Sequence, residues 1–81
     1  MSWTVYIVEC KDGSLYTGIT TDVTRRIHEH NTSPKGAKYT QYRRPVKLVY
    51  NESCEDRSSA GKREWQIKRL SRGNKLKLIK G

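Results

Sequence analysis

The side chains best suited to chemistry in this sequence are Arg26 and His30, four residues apart in the stretch YTGITTDVTRRIHEHN (16–31), and Glu64, the one acid among residues 57–81. At about 100° per residue, Val23, Ile27 and His30 form one helical stripe with Arg26 one position to its side. A cation and an imidazole thus flank an apolar face expected to meet a sheet. A charge held near a core needs a partner, because unpaired burial costs on the order of several kcal/mol. Phosphate is one such partner. The other reading is a guanidinium that snorkels to solvent beside an ordinary boundary histidine. Glu64 also has two readings. Beside a stripe of Ala60 and Ile67 it is either a salt-bridge hub for Lys68, four residues on, or, in a cleft shared with Arg26, an oxygen ligand for a hard divalent cation.

These groups have to be carried by regular elements, and the pattern supplies them. WTVYIVEC (3–10) is β-branched and aromatic, KDGS (11–14) is a compact turn, and a second strand over 14–18 completes a hairpin. Tyr6 and Tyr16 stand on either side of that turn, in a register the sequence does not fix, and either ring could instead sit in the core with its hydroxyl in water. Gly18 supplies a turn position and Asp22 a cap for a helix over 22–31. VKLVY alternates as a third strand over 46–51. A second helix over 55–71 follows, capped near Ser53 or Glu55 and ended by Gly73 and Asn74. The segment KLKLIK (75–80) fits one helical turn or a short strand, so a short helix at 74–79 is an option. Residues 32–45 lack periodicity and read as a loop.

Length predicts one domain over 1–81 with a modest core. The formal charge of +9 is uneven: residues 1–32 hold three Lys/Arg against four Asp/Glu, residues 33–50 five against none, and residues 57–81 nine against one. Such asymmetry suits a polyanion, with nucleic acid foremost, because phosphate neutralisation releases counterions. A solvated basic face, ribosomal association and anionic lipid answer to the same charge. No apolar run reaches the roughly 20 residues that span a bilayer and no signal peptide opens the chain, so a cytoplasmic protein without membrane contact is expected. Cys10 and Cys54 lack zinc or redox spacing and read as ordinary buried thiols. In the basic loop, Lys35, Lys38, Arg43 and Arg44 interleave with Tyr39 and Tyr42. That mixture suits phosphate contact and base stacking, although the tyrosines would equally anchor a long loop.

Taken together these residues resemble the GIY-YIG nuclease superfamily over essentially the whole chain, most closely its small stand-alone bacterial YhbQ-like members. The first tripeptide is Thr4-Val5-Tyr6 and the second Tyr16-Thr17-Gly18; Arg26 follows ten residues after the second tyrosine, then His30 and Glu64. Thr4 replaces a glycine, and Ile19 stands where some repair nucleases carry lysine. The resemblance implies an α/β sandwich: a three-stranded antiparallel sheet (about 3–10, 14–18, 46–51) flanked by helices. It also implies phosphodiester hydrolysis in DNA, with RNA left open, assisted by one Mg²⁺ or Mn²⁺ on Glu64. In that scheme Arg26 grips the phosphate and Tyr6 or Tyr16 takes the proton of the attacking water. A nearby metal-bound water or cation has to lower the tyrosine's pKa, and His30 orients a tyrosine or shares the proton. The substrate expected is branched, nicked or damaged DNA. The alternative is a non-catalytic nucleic-acid-binding module using the basic loop 35–47 and the basic C-terminal half.

Overall fold

The structure is a computed structural model that describes residues 2–33 and 35–81. Met1 and Pro34, the latter within the expected loop, lie outside the described residues. Three strands, β1 (Trp3–Glu9), β2 (Leu15–Thr20) and β3 (Lys47–Cys54), form one antiparallel sheet in the order β2-β1-β3. Among the described residues four helices accompany them: α1 (Val23–Thr32), α2 (Lys38–Gln41), α3 (Arg57–Lys68) and α4 (Arg72–Lys80).

β1 is the central strand, and its run Val5–Val8 is buried on both faces, which is why it reads as continuous rather than alternating hydrophobicity. Successive side chains of a strand point to opposite sides, and here they feed two separate cores. Val5 and Ile7 pack with Ala60 and Ile67 of α3, with Leu78 and Ile79 of α4 against them. Tyr6 and Val8 pack on the other side with Cys10 and Val46, against Tyr16 and Ile27. The sheet is therefore the middle layer, with α1 on the tyrosine face and α3 and α4 on the other.

Hairpin register pairs Tyr6 with Gly18 and Val8 with Tyr16, so both tyrosines share one face, one pair apart. Asp22 caps α1 by accepting from the Arg25 amide at 3.0 Å. β3 runs to Cys54 because its partner β1 starts at Trp3, which pairs with Cys54. The helix cap moves accordingly: Asp56, rather than Ser53 or Glu55, accepts from the Ser59 amide at 2.7 Å.

Two expectations are corrected. The helix expected over 55–71 runs from Arg57 to Lys68 and ends early, because the Leu70 amide bonds to the Ile67 carbonyl at 3.0 Å, tightening the last turn; Ser71 then caps α4 through the Asn74 amide at 3.2 Å, so the optional short helix at 74–79 is present and longer than expected. Gly73 and Asn74 thus open α4 instead of ending α3. Partial burial of Leu78 and Ile79 against the core offsets the cost of a helical glycine, about 1 kcal/mol. The loop expected over 32–45 contains α2, whose Thr40 is fully buried. Among the described residues no helix is long and apolar enough to cross a membrane. Cys10 is buried and Cys54 half-buried, both as free thiols.

Candidate active site

The tyrosine face of the hairpin carries a chain of short hydrogen bonds that ends in the interior. Tyr6 Oη lies 2.8 Å from His30 Nε2, and His30 Nδ1 lies 2.8 Å from Thr40 Oγ1. Thr40 Oγ1 in turn donates to the Ala37 carbonyl at 2.9 Å. His30 and Thr40 are both fully buried and Tyr6 nearly so. Gly18 makes room for this arrangement: a Cβ there would lie 2.7 Å from Tyr6 Cζ, so the ring lies over bare backbone of the neighbouring strand.

Burial is the main reason that His30 titrates low, at about 4 instead of 6.5, with the charges of Arg26 and Arg44 pushing the same way and Glu29 opposing them. His30 is therefore neutral at pH 7. Burial likewise raises the Tyr6 pKa above its ordinary 10, while the Arg26 guanidinium pulls it down and the nearby Tyr16 and Glu64 add to the rise. Arg26 thus acts on Tyr6 in the direction expected of a neighbouring cation, and in the protein alone desolvation outweighs it.

Arg26 is half-buried at the rim. Its Nη1 donates to Glu29 Oε1 and to the Lys35 carbonyl, both at 3.0 Å. Tyr16 presents its ring to the His30 edge, with centroids 5.5 Å apart, and stacks on Tyr39 at 5.8 Å. β2 is an outer strand, so side chains from α3 can meet Tyr16 from beyond the sheet's edge: Lys68 Nζ stands 5.8 Å from the Tyr16 ring centroid and 3.1 Å from Glu64 Oε2. Arg26 and Glu64, carried by helices on opposite layers, both act electrostatically on the one Tyr6 hydroxyl.

The basic-loop residues divide into two sets. Lys35 and Lys38 are exposed. Arg44 is engaged from Nε by the His30 carbonyl at 2.6 Å and from Nη2 by the Ser33 carbonyl, satisfying the end of α1. Arg43 pairs with Asp12 at 3.2 Å and lies 4.1 Å over the Tyr39 ring. Tyr39 is spent on these contacts, whereas Tyr42 is 91% exposed. Asn31 clasps the start of β3 by accepting from the Val46 amide at 2.7 Å and donating to its carbonyl at 3.1 Å.

Among the described residues no three His, Cys, Asp or Glu side chains gather as a metal cage. What the site offers is one carboxylate, Glu64, paired with Lys68 at 3.1 Å and near enough to act on the Tyr6 hydroxyl. That donor set does not suit zinc, which wants several nitrogen or sulfur ligands, and it fits a hard ion such as Mg²⁺ that keeps most of its waters and shares phosphate oxygens. Sequence reasoning missed Thr40, for which no periodicity or spacing signal exists. Lys68 was legible only as a partner of Glu64 at i,i+4.

An α/β sandwich with two tyrosines on one face of its hairpin, and an arginine and a histidine on the helix above them, is the framework of a GIY-YIG domain. Residues 2–77 match the family model for the GIY-YIG catalytic domain, and the chain belongs to that nuclease superfamily. It is 63% identical over 79 residues to a UPF0213 protein of Desulfotalea psychrophila, covering 98% of this chain and 72% of that one. A UPF0213 protein of Staphylococcus saprophyticus is 59% identical over 75 residues, 93% of this chain and 90% of its own. The solution NMR structures of a UPF0213 protein from Bacillus halodurans and of a protein from E. faecalis share the fold, with TM-scores of 0.63 and 0.67 and identities of 50% and 45%. Each match covers 99% of this chain and 84% of the other.

Proposed function

We propose that this protein is a divalent-metal-dependent endonuclease that hydrolyses DNA phosphodiester bonds in the cytoplasm, choosing branched, nicked or damaged sites by shape. The observation that carries this reading is the Tyr6 hydroxyl, hydrogen-bonded to a neutral, buried imidazole and exposed to the charges of Arg26 and Glu64 together. The charge of +9 supplies affinity for phosphate without reading bases, which favours selection by shape.

Tyr6 takes the proton of the attacking water as its own proton passes to His30 Nε2. Because burial keeps the phenol protonated at pH 7, the two transfers have to occur together. Arg26, held through Nη1 by Glu29 and the Lys35 carbonyl and hydrogen-bonded to the Tyr6 hydroxyl as well, offers its remaining N–H groups to the non-bridging oxygens as charge accumulates there. Tyr16 walls the site and shields the imidazole. A single Mg²⁺ or Mn²⁺ on Glu64, completed by water and phosphate oxygens, would supply charge neutralisation at the phosphate and the leaving oxygen. Lys35, Lys38 and Tyr42 extend the contact to flanking nucleotides.

Labelled junction, flap, nicked and linear DNA, incubated with and without Mg²⁺ or Mn²⁺, test the proposal. Metal-dependent product that disappears in Glu64→Ala while binding persists supports it, and cleavage by Glu64→Ala at the wild-type rate overturns the metal assignment. A binding module without catalysis is the second reading. It is favoured by the pairing of Glu64 with Lys68 at 3.1 Å and of Arg26 with Glu29 at 3.0 Å, and it predicts salt-dependent binding with no product from any substrate.

A further inference from the structure

We propose that Thr40 is a positioning residue: its hydroxyl, buried between the Ala37 carbonyl and the His30 ring, fixes His30 as the Nδ1–H tautomer and so sets the direction in which the Tyr6 proton points. The kinetic part of this inference rests on the proposed nuclease reading; the tautomer part does not.

The argument is one of donor counting. A hydroxyl has a single hydrogen, and a carbonyl oxygen can only accept. With its hydrogen placed on the Ala37 carbonyl, 2.9 Å away, which also accepts the Thr40 and Gln41 amides, Thr40 Oγ1 has only lone pairs left to offer. What remains for His30 Nδ1, 2.8 Å away, is an oxygen lone pair, and Nδ1 must therefore carry the hydrogen. A neutral imidazole has one N–H, which leaves Nε2 as a bare acceptor. The Tyr6 hydroxyl, 2.8 Å from Nε2, then donates to it. The order is unbroken: Tyr6 to His30, His30 to Thr40, Thr40 to Ala37.

The opposite tautomer would send Nε2–H toward the Tyr6 oxygen. Tyr6 would become the acceptor, its own hydrogen would turn away from His30, and the imidazole would have no lone pair facing the phenol. The aromatic neighbours Tyr6 and Tyr16 meet the ring edge-on and do not distinguish the two nitrogens, while Arg26, donating to the Tyr6 oxygen, leaves the phenol hydrogen free for Nε2 and so favours the same tautomer that Thr40 fixes. Ala37, which anchors the hydroxyl, is the N-cap residue of α2 itself. The four-residue helix therefore holds both ends of the Thr40 bond in place.

The experiment compares Thr40→Val, which keeps the shape and removes the hydroxyl, with Thr40→Ser, which restores it. Long-range ¹H–¹⁵N correlation spectra at neutral pH report which ring nitrogen of His30 is protonated, with the exposed His28 as a reference ring and the dispersion of the backbone amide spectrum as the control for folding. Wild type and Thr40→Ser should show Nδ1–H, while Thr40→Val should shift toward Nε2–H with His28 unchanged. In single-turnover and steady-state cleavage, Thr40→Val should lower kcat by about tenfold or more with little change in KM, and Thr40→Ser should recover to within about threefold of wild type. A wild-type Nε2–H tautomer, or Thr40→Val that keeps Nδ1–H, overturns the assignment. A tautomer shift with unchanged kcat overturns its link to catalysis. If no form of the protein cleaves DNA, the nuclease reading fails alone, and the spectra still decide the role of Thr40.

Discussion

Acidification from pH 7 to pH 4 should cost this protein about 3 kcal/mol of stability through His30 alone. The ring is fully buried, and its pKa falls from 6.5 to about 4 on folding. Between those values the unfolded chain binds a proton that the native state refuses. The stabilisation is therefore complete above pH 6.5 and is lost as pH drops through the window toward 4. At about 1.4 kcal/mol per pH unit the full displacement is worth about 3.5 kcal/mol, of which about 3 is lost by pH 4, where the native ring is itself half protonated. In a domain of this length, where one kcal/mol moves Tm by roughly 4–8 °C, the loss amounts to about 12–25 °C. Physically, the added proton would go to Nε2, displace the hydrogen donated by Tyr6, and place a third positive charge beside Arg26 and Arg44. The assay is urea denaturation followed by circular dichroism at pH 7, 5.5 and 4 and fixed ionic strength, run beside His30→Gln. That variant starts less stable but has no imidazole to titrate. Asp12 and Asp56, whose pKa values are lowered by bonds from Ser14 and Ser59, lose their contribution below this window and in both proteins alike, so they cancel in the comparison. If wild type and His30→Gln lose stability in parallel between pH 7 and pH 4, the imidazole is not held neutral and the donor order built on it is wrong.

Gly18→Ala should place a methyl group 2.7 Å from Tyr6 Cζ and push the ring off His30. We expect about 1–3 kcal/mol of destabilisation in urea titrations and a larger fractional loss of cleavage than of folded protein. Lys68→Met removes the cation that stands 3.1 Å from Glu64, in a pair partly open to solvent. The Mn²⁺ concentration for half-maximal cleavage should fall by about two- to fivefold, and a rise would show that the lysine helps rather than competes. Tyr42→Ala should weaken binding to single-stranded oligonucleotides by roughly 1–3 kcal/mol in fluorescence titrations with stability unchanged, whereas Tyr39→Ala, which unstacks Tyr16 and Arg43, should lower stability first.

The strands and the first helix were legible because their signals are local: an unbroken apolar run for a strand covered on both faces, the KDGS turn, and a capping aspartate ahead of a periodic stretch. α2 was not legible. KYTQ has no apolar side to announce a helix, and what holds it is a threonine hydroxyl buried under His30, a contact between residues ten apart in sequence. Ser71-Arg72-Gly73-Asn74 was misread for a related reason: a glycine and an asparagine look like a stop until the serine before them is seen to start the next helix. In the site, residue types pointed to Arg26, His30 and Glu64, and their convergence on Tyr6 needed the register and the layer order. Arg43 and Arg44 show the opposite limit, since a basic composition cannot distinguish a guanidinium turned to solvent from one that closes off a helix end.

The seat of α2 against α1 has a consequence for how such a chain can change over time. At Gly36 a Cβ would stand 2.8 Å from the Glu29 carbonyl oxygen and 2.9 Å from the His30 Cα, so the backbone there fits against the first helix only while it stays bare. A single methyl at that point would lift the short helix and carry the threonine away from the imidazole. Drift at an unremarkable connecting residue would thus break the bonds from Tyr6 through His30 to Thr40, and with them the proposed proton route, while all three side chains kept their identity, a change that comparing those positions alone would overlook.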